Sequence, residues 1–138
     1  TNLKWNSENL IIGAPKNWAK NVLLWNLALD ENNGPKNGGC ESCRGVVTIN
    51  TSNQNITRNI EYFLLGHISK FVRPGSKRIQ SNIQKGAGIS NVAFENIDGS
   101  RVLLVYNDSG VDAQVKVNDT SDSFIFKIEN NLLATFIW

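Results

Sequence analysis

The sequence predicts a mainly β chain: an antiparallel β-sandwich over residues 77–138, preceded by a short buried strand and an amphipathic helix. Three observations carry this. The hydrophobic period changes at Pro74-Gly75, from helical spacing before it to strand alternation after it. A Pro-Gly pair cannot continue a helix, so the join is a sharp stop, and it divides the chain into residues 1–73 and 74–138. Beyond it, short apolar runs recur at about ten-residue spacing with turn residues between them, the pattern of an antiparallel sandwich or barrel. Before it, Val22-Leu23-Leu24-Trp25-Asn26-Leu27-Ala28-Leu29 is nearly continuous in apolar residues, as in a parallel-sheet strand buried on both faces.

Composition narrows the function classes. The 138 residues suffice for one ordinary domain with a modest core. With 41% hydrophobic and 19% charged residues the chain is globular rather than disordered. A net charge of +2 is too small to argue for a nucleic-acid or acidic partner. The small cluster of Arg73, Lys77 and Arg78 reads as a solvated turn. No run approaches the roughly 20 apolar residues that span a bilayer, so no membrane span is expected. The chain has no methionine and opens on Thr1, which reads as a start inside a longer protein. A missing signal peptide therefore says nothing about compartment. Sequons at Asn50, Asn55, Asn107 and Asn118 are what an Asn-, Ser- and Thr-rich composition produces by chance.

In chain order, residues 8–19 hold one or two helical turns, interrupted by Gly13 and Pro15. The buried strand at 22–29 comes next, then a long polar loop over 30–45. A loop of that length inside a compact domain tends to be functional or mobile. It holds both cysteines as Cys40-Glu41-Ser42-Cys43. Such a pair is a local disulfide, a redox pair or half a zinc site. Zinc needs about four ligands and His67 is the lone histidine, so the set is one short and no metal is expected. A redox pair usually opens a helix, whereas Gly45-Val46-Val47-Thr48-Ile49 reads as a strand. A structural staple and free thiols remain.

The clearest helix covers 56–72. Ile56, Ile60, Leu64, Ile68 and Val72 fall on one line, flanked by Phe63, His67 and Phe71, with Asn55 as N-cap. Lys70 and Arg73 suit the negative end of its dipole. His67 beside the stripe reads as a packed, hydrogen-bonded histidine rather than a catalyst. From Lys77 the strands follow: Ile79, Ser81 and Ile83 alternate, Lys85-Gly86-Ala87-Gly88 turns, and 90–96 is a strand. Asp98-Gly99 marks a hairpin, and 101–106 is apolar on both faces and therefore central. Val111, Ala113, Val115 and Val117 face inward, with Asp112, Gln114 and Lys116 outward. After a turn at 118–122, Phe124, Phe126 and Ile128 mark the next strand, and Asn130-Asn131 turns into 132–138.

Three motifs in this order resemble the C-terminal part of the family-30 glycoside hydrolases, the glucosylceramidase-like β-glycosidases. They are Leu24-Trp25-Asn26-Leu27-Ala28-Leu29-Asp30, Gly34-Pro35, and the long stretch Gly66-His67-Ile68-Ser69-Lys70-Phe71-Val72-Arg73-Pro74-Gly75-Ser76-Lys77-Arg78-Ile79. Gly39-Cys40 and Cys43-Arg44-Gly45-Val46-Val47 fit as well, and the likeness runs from about Asn9 to Trp138. The resemblance implies a TIM barrel fused to a β-sandwich. Residues 1–73 would be the end of the (β/α)8 barrel, with 20–30 its last strand and 56–72 its last helix, and 74–138 most of the sandwich. It implies a retaining enzyme, whose acid/base and nucleophile are two carboxylates about 5 Å apart. Glu8, Glu31, Glu41, Glu61, Glu95 and Glu129 match neither family motif, so no catalytic residue is expected in this chain and it should be inactive alone. The implied substrate is a β-glucoside or related glycan, with no cofactor, in a secreted or extracellular enzyme. Trp25 and Asn26 are the implied substrate-binding residues. An indole there stacks on a pyranose face, the alternative being that it fills the barrel. Asn26 points the other way along a strand. Loop 31–45 would form part of the cleft rim. The family's sandwich also takes strands from before the barrel, so unpaired edges and a poorly packed or refolded segment 1–50 are expected. Residues 77–138 are expected to act as a scaffold that braces the barrel. The competing function is a stand-alone carbohydrate- or surface-binding sandwich using Phe94, Tyr106, Phe124, Phe126, Phe136 and Trp138, most of which sit at inward-reading positions.

Overall fold

A computed structural model of the chain describes residues 2–82, 88–120 and 122–138. The predicted 85–88 turn falls largely, and Ile83 of the alternating stretch wholly, on residues outside that set.

The N-terminal segment corrects the expectation of broken turns. It is helical throughout, as α1 (Asn2–Trp5), a π-wound stretch Asn6–Gly13 and α2 (Ala14–Lys16). Gly13 permits the wide turn rather than ending it, because a Cβ there would lie 2.3 Å from the Glu8 carbonyl oxygen. Pro15 sits within the first two positions of α2, where its missing N–H costs least.

Three short strands follow. β1 (Ala28–Asp30) pairs in parallel with β2 (Val47–Ile49), which pairs antiparallel with β3 (Ile56–Arg58). Helix α3 is Ile60–Ser69, and this corrects the predicted start. Residues 56–58 read equally well at either period, and the β-branched Ile56 and Thr57 pair with Ile49 and Thr48. Asn59, not Asn55, takes the N-cap position in extended geometry. Its amide donates instead to Gly45 O at 2.8 Å and Thr48 Oγ1 at 2.9 Å, which ties the helix entry to the loop end. The last turn runs on through Val72 N to Ile68 O, so the Ile60–Leu64–Ile68–Val72 stripe survives as the core face.

The second half is the predicted antiparallel assembly: β4 (Lys77–Ile79), β5 (Ile89–Glu95), β6 (Arg101–Asn107), β7 (Ala113–Asn118), β8 (Ser123–Ile128) and β9 (Leu132–Ile137). A four-stranded sheet has the order β4-β5-β6-β9, and β7-β8 form a separate pair. β6 is central and buried on both faces, as its unbroken apolar run requires. Val102, Leu104 and Tyr106 join Ile11, Ile12, Leu64 and Val92 in one core beneath the helices. Leu103 and Val105 face the other core, which packs against β7 and β8 through Val115, Val117, Phe126 and Ile128. Strand period 2 thus splits one run between two cores.

Val111 corrects the predicted inward set, being 65% exposed and outside β7. The buried Asn107 donates to its carbonyl and Ser109 Oγ does too, so residues 108–112 form a turn. The packing of 1–50 is corrected in part: Ile11 and Ile12 are each 1% exposed against the sheet. By contrast Trp18, Leu23, Trp25 and Leu27 are open to solvent. Among the described residues β7 and β8 pair only with each other, which leaves the expected unpaired edges.

Candidate functional site

The site is built around the C-terminal end of β1, since parallel strands deliver their loops, and usually their chemistry, at that end. The predicted buried strand at 22–29 is corrected here. Ladder pairing covers only Ala28–Asp30, with Val46 N and Val47 N bonding back to Asn26 O and Leu27 O at 3.0 and 2.9 Å. Leu23, Trp25 and Leu27 are 89%, 67% and 74% exposed. The physical reason is partnership: among the described residues β1 has one neighbour, the three-residue β2, so its other edge and one face go uncovered. Trp25 therefore presents an open indole, while the half-buried Asn26 turns its Oδ1 to the Ala28 amide at 3.2 Å.

The loop leaving β1 is anchored by carboxylates. Asp30 Oδ1 accepts from the amides of Asn32 (2.8 Å) and Gly34 (2.7 Å), just before the cis Gly34-Pro35 bond. Glu31 accepts from Thr51 Oγ1 at 2.7 Å and Thr51 N at 2.9 Å, and these bonds hold its carboxyl below the ordinary glutamate range. Lys36 Nζ meets Glu41 Oε2 at 2.6 Å. Cys40 and Cys43 are joined by a disulfide. Arg44 pairs with Glu61 at 3.2 Å, and Asn2 donates to the same carboxylate at 3.0 Å. Glu31, Glu41 and Glu61 are thus occupied as anchors. Glycine is required at 45, where a Cβ would lie 2.8 Å from Val47 O and 2.9 Å from Leu29 N.

His67 lies half-buried with Nδ1 2.9 Å from Thr135 Oγ1, and burial lowers its pKa. That is the packed histidine its position beside the stripe implied. The outer face of α3 and Leu27 line an open, mainly apolar groove of about 690 Å³, with Tyr62, Phe63 and Lys70 on its walls. In the sandwich, Phe124, Phe126, Phe136 and Trp138 pack on one another, with Phe126 and Phe136 centroids 3.7 Å apart. They are half-buried, and Phe126, Phe136 and Trp138 pack against the second core.

The family description "glycosyl hydrolase family 30 beta sandwich domain" matches residues 75–136. The structure of an endo-β1,6-glucanase superposes with a TM-score of 0.90 at 34% identity over 99% of this chain. The chain belongs to glycoside hydrolase family 30. An endo-1,6-β-D-glucanase of Aspergillus fumigatus is 37% identical over 77% of the chain, and the lysosomal acid glucosylceramidase of Mus musculus 27% over 83%. The chain spans 22% of the length of each of these curated relatives and 31% of the solved glucanase.

Several residues that shape this family-30 chain were invisible to sequence reasoning. Asn59, Arg44 and Glu61 join segments far apart in the chain, and nothing in local pattern marks them. Arg101 is another: it pairs with Asp119, which also accepts from Trp138 Nε1 at 3.0 Å. Gly45 was the one with a signal, a lone glycine abutting a strand.

Proposed function

We propose that this chain is the C-terminal part of a retaining β-glycosidase that hydrolyses β-1,6-linked glucan. Residues 1–73 end its (β/α)8 barrel, and residues 74–138 are a sandwich that braces the barrel. The observation that carries this is the match at TM-score 0.90 and 34% identity to an endo-β1,6-glucanase over 99% of the chain. A glucan is favoured over glucosylceramide, because the glucanases are the nearer relatives, 37% identical against 27%. The parallel β1-β2 pair followed by α3 has the strand–loop–helix order of a barrel unit. The uncovered Leu23 and Leu27 and the groove on α3 are where neighbouring barrel elements would pack.

In this reading Trp25 stacks on a pyranose ring at the cleft floor, Asn26 positions the strand end, and loop 31–45 forms the rim. The two carboxylates of the retaining mechanism lie elsewhere in the protein. One protonates the leaving oxygen while the other attacks the anomeric carbon, and water then releases the sugar with retained configuration; no cofactor takes part.

The test expresses the chain with the polypeptide that precedes it and follows hydrolysis of a linear β-1,6-glucan by NMR. A β-configured first product is expected, with no turnover by residues 1–138 alone on an aryl β-glucoside. An α-configured product, or turnover by the isolated chain, would overturn the reading.

A further inference from the structure

We infer that the Cys40–Cys43 disulfide and the Lys36–Glu41 ion pair are positioning elements that hold the loop after β1 as a rigid rim for the glycan, an inference that rests on the glucanase reading above. The loop needs such a device. Gly38 and Gly39 are both in left-handed geometry (φ +74° and +89°), and no atom beyond their chain neighbours comes within 4 Å of where a side chain would begin. Two adjacent glycines without packing partners form a hinge with high conformational entropy. The two shoulders on either side are fixed. One is held by Asp30 on the Gly34 amide, and the other by Arg44 on Glu61 of α3.

The ion pair crosses the hinge, and the disulfide, which lies wholly after it, fixes the turn that carries Glu41. Glu41 lies inside the small ring that Cys40 and Cys43 close, and Lys36 reaches it from before the glycines with bonds to both Oε2 (2.6 Å) and the backbone carbonyl (3.3 Å). The ring presents Glu41 to Lys36, and the pair spans Gly38-Gly39 as the strut. An exposed ion pair alone contributes little to stability. The Glu41 side chain is 80% exposed, so the pair orders the loop rather than stabilising the fold. A rim held in advance removes an ordering cost that substrate would otherwise meet on binding.

The enzyme that carries this chain is compared with its Cys40→Ser/Cys43→Ser and Lys36→Met variants on a linear β-1,6-glucan. The expected result is a KM higher by about fivefold to tenfold in the double variant and by about twofold to threefold in Lys36→Met. In both, kcat and the melting temperature stay close to wild type, and trypsin cuts after Lys36 faster in the double variant. Treating wild type with dithiothreitol, which reduces the protein disulfide to two cysteine thiols and is itself oxidised to a cyclic disulfide, should reproduce the double variant. An unchanged KM with an active wild type overturns the inference alone. So does a kcat that falls together with the melting temperature, since that assigns the staple to folding. A wild type inactive on any β-glucan overturns the glucanase reading and this inference with it.

Discussion

Asn107 is the polar residue on which the joining of the two sheets depends. It is fully buried at the end of β6. Its Nδ2 donates to the carbonyls of Val111 (2.8 Å), Ile128 (3.1 Å) and Glu129 (3.2 Å), and Oδ1 accepts from Ser109 N (3.0 Å) and Ser109 Oγ (2.7 Å). One side chain thereby links the end of β6 to the approach to β7 and the end of β8. In Asn107→Ala the carbonyls of the exposed Val111 and Glu129 regain water, but that of buried Ile128 does not. Taking about 1 kcal/mol for each of the bonds to Val111 and Glu129 and at least about 1 kcal/mol for the orphaned Ile128 carbonyl, the cost is at least about 3 kcal/mol before the two Ser109 bonds are counted. For a chain of this size that lowers the unfolding midpoint by about 10 °C. Asn107→Asp is the sharper variant, since it keeps the shape and turns the donor into a carboxylate facing carbonyl oxygens. It should lose more than alanine at pH 7. It should recover as pH falls, because its folded pKa is raised and the protonated acid can donate again. Thermal and urea unfolding followed by circular dichroism measure both. An aspartate variant as stable as wild type at pH 7 would refute the clamp.

Other consequences are more local. Gly45→Ala should cost about 2 kcal/mol in urea unfolding, because its Cβ meets backbone on both sides, at Val47 O and Leu29 N. Gly66→Ala should instead stabilise by about 0.5–1 kcal/mol, because the α3 site is open and alanine favours helix; equal effects at the two glycines would refute the packing argument. Burial lowers the His67 pKa, so its contribution to stability is fully present above the unfolded value near 6.5 and declines as pH falls through the folded value. His67→Gln should flatten that part of the stability–pH profile, and an unchanged slope would show that another group titrates. Trp25→Ala in the intact enzyme should raise KM while leaving the chain's unfolding midpoint nearly unchanged, since the indole is 67% exposed. A drop as large as that of Leu64→Ala would make Trp25 a packing residue instead.

The limits of sequence reading follow from the physics of each element. β5 to β9 were legible because antiparallel strands carry their own alternation and turn residues. Asp98-Gly99 marked the hairpin whose Gly99 has φ +85°. The α3 stripe was legible from Ile60 to Val72, but its start was not, since Ile56 fits either period and the choice fell to β2 across the loop. The helical turn through Gly13 was misread because a glycine in a helix pattern normally weakens it, and only the approach of the Glu8 carbonyl explains its presence. At the candidate site, the residue types at Trp25, Asn26 and the cysteines stood out, and their surroundings did not.

Local order alone determined the sandwich, the core face of α3 and the position of the long loop, because period and turn chemistry act within a few residues. Tertiary structure decided which strand stretches found partners, and so left Leu23, Trp25 and Leu27 uncovered. It also decided that two cores share β6, and that Glu31, Glu41 and Glu61 serve as anchors. Pairing and charge neutralisation join residues distant in the chain, and no local pattern encodes the identity of a distant partner.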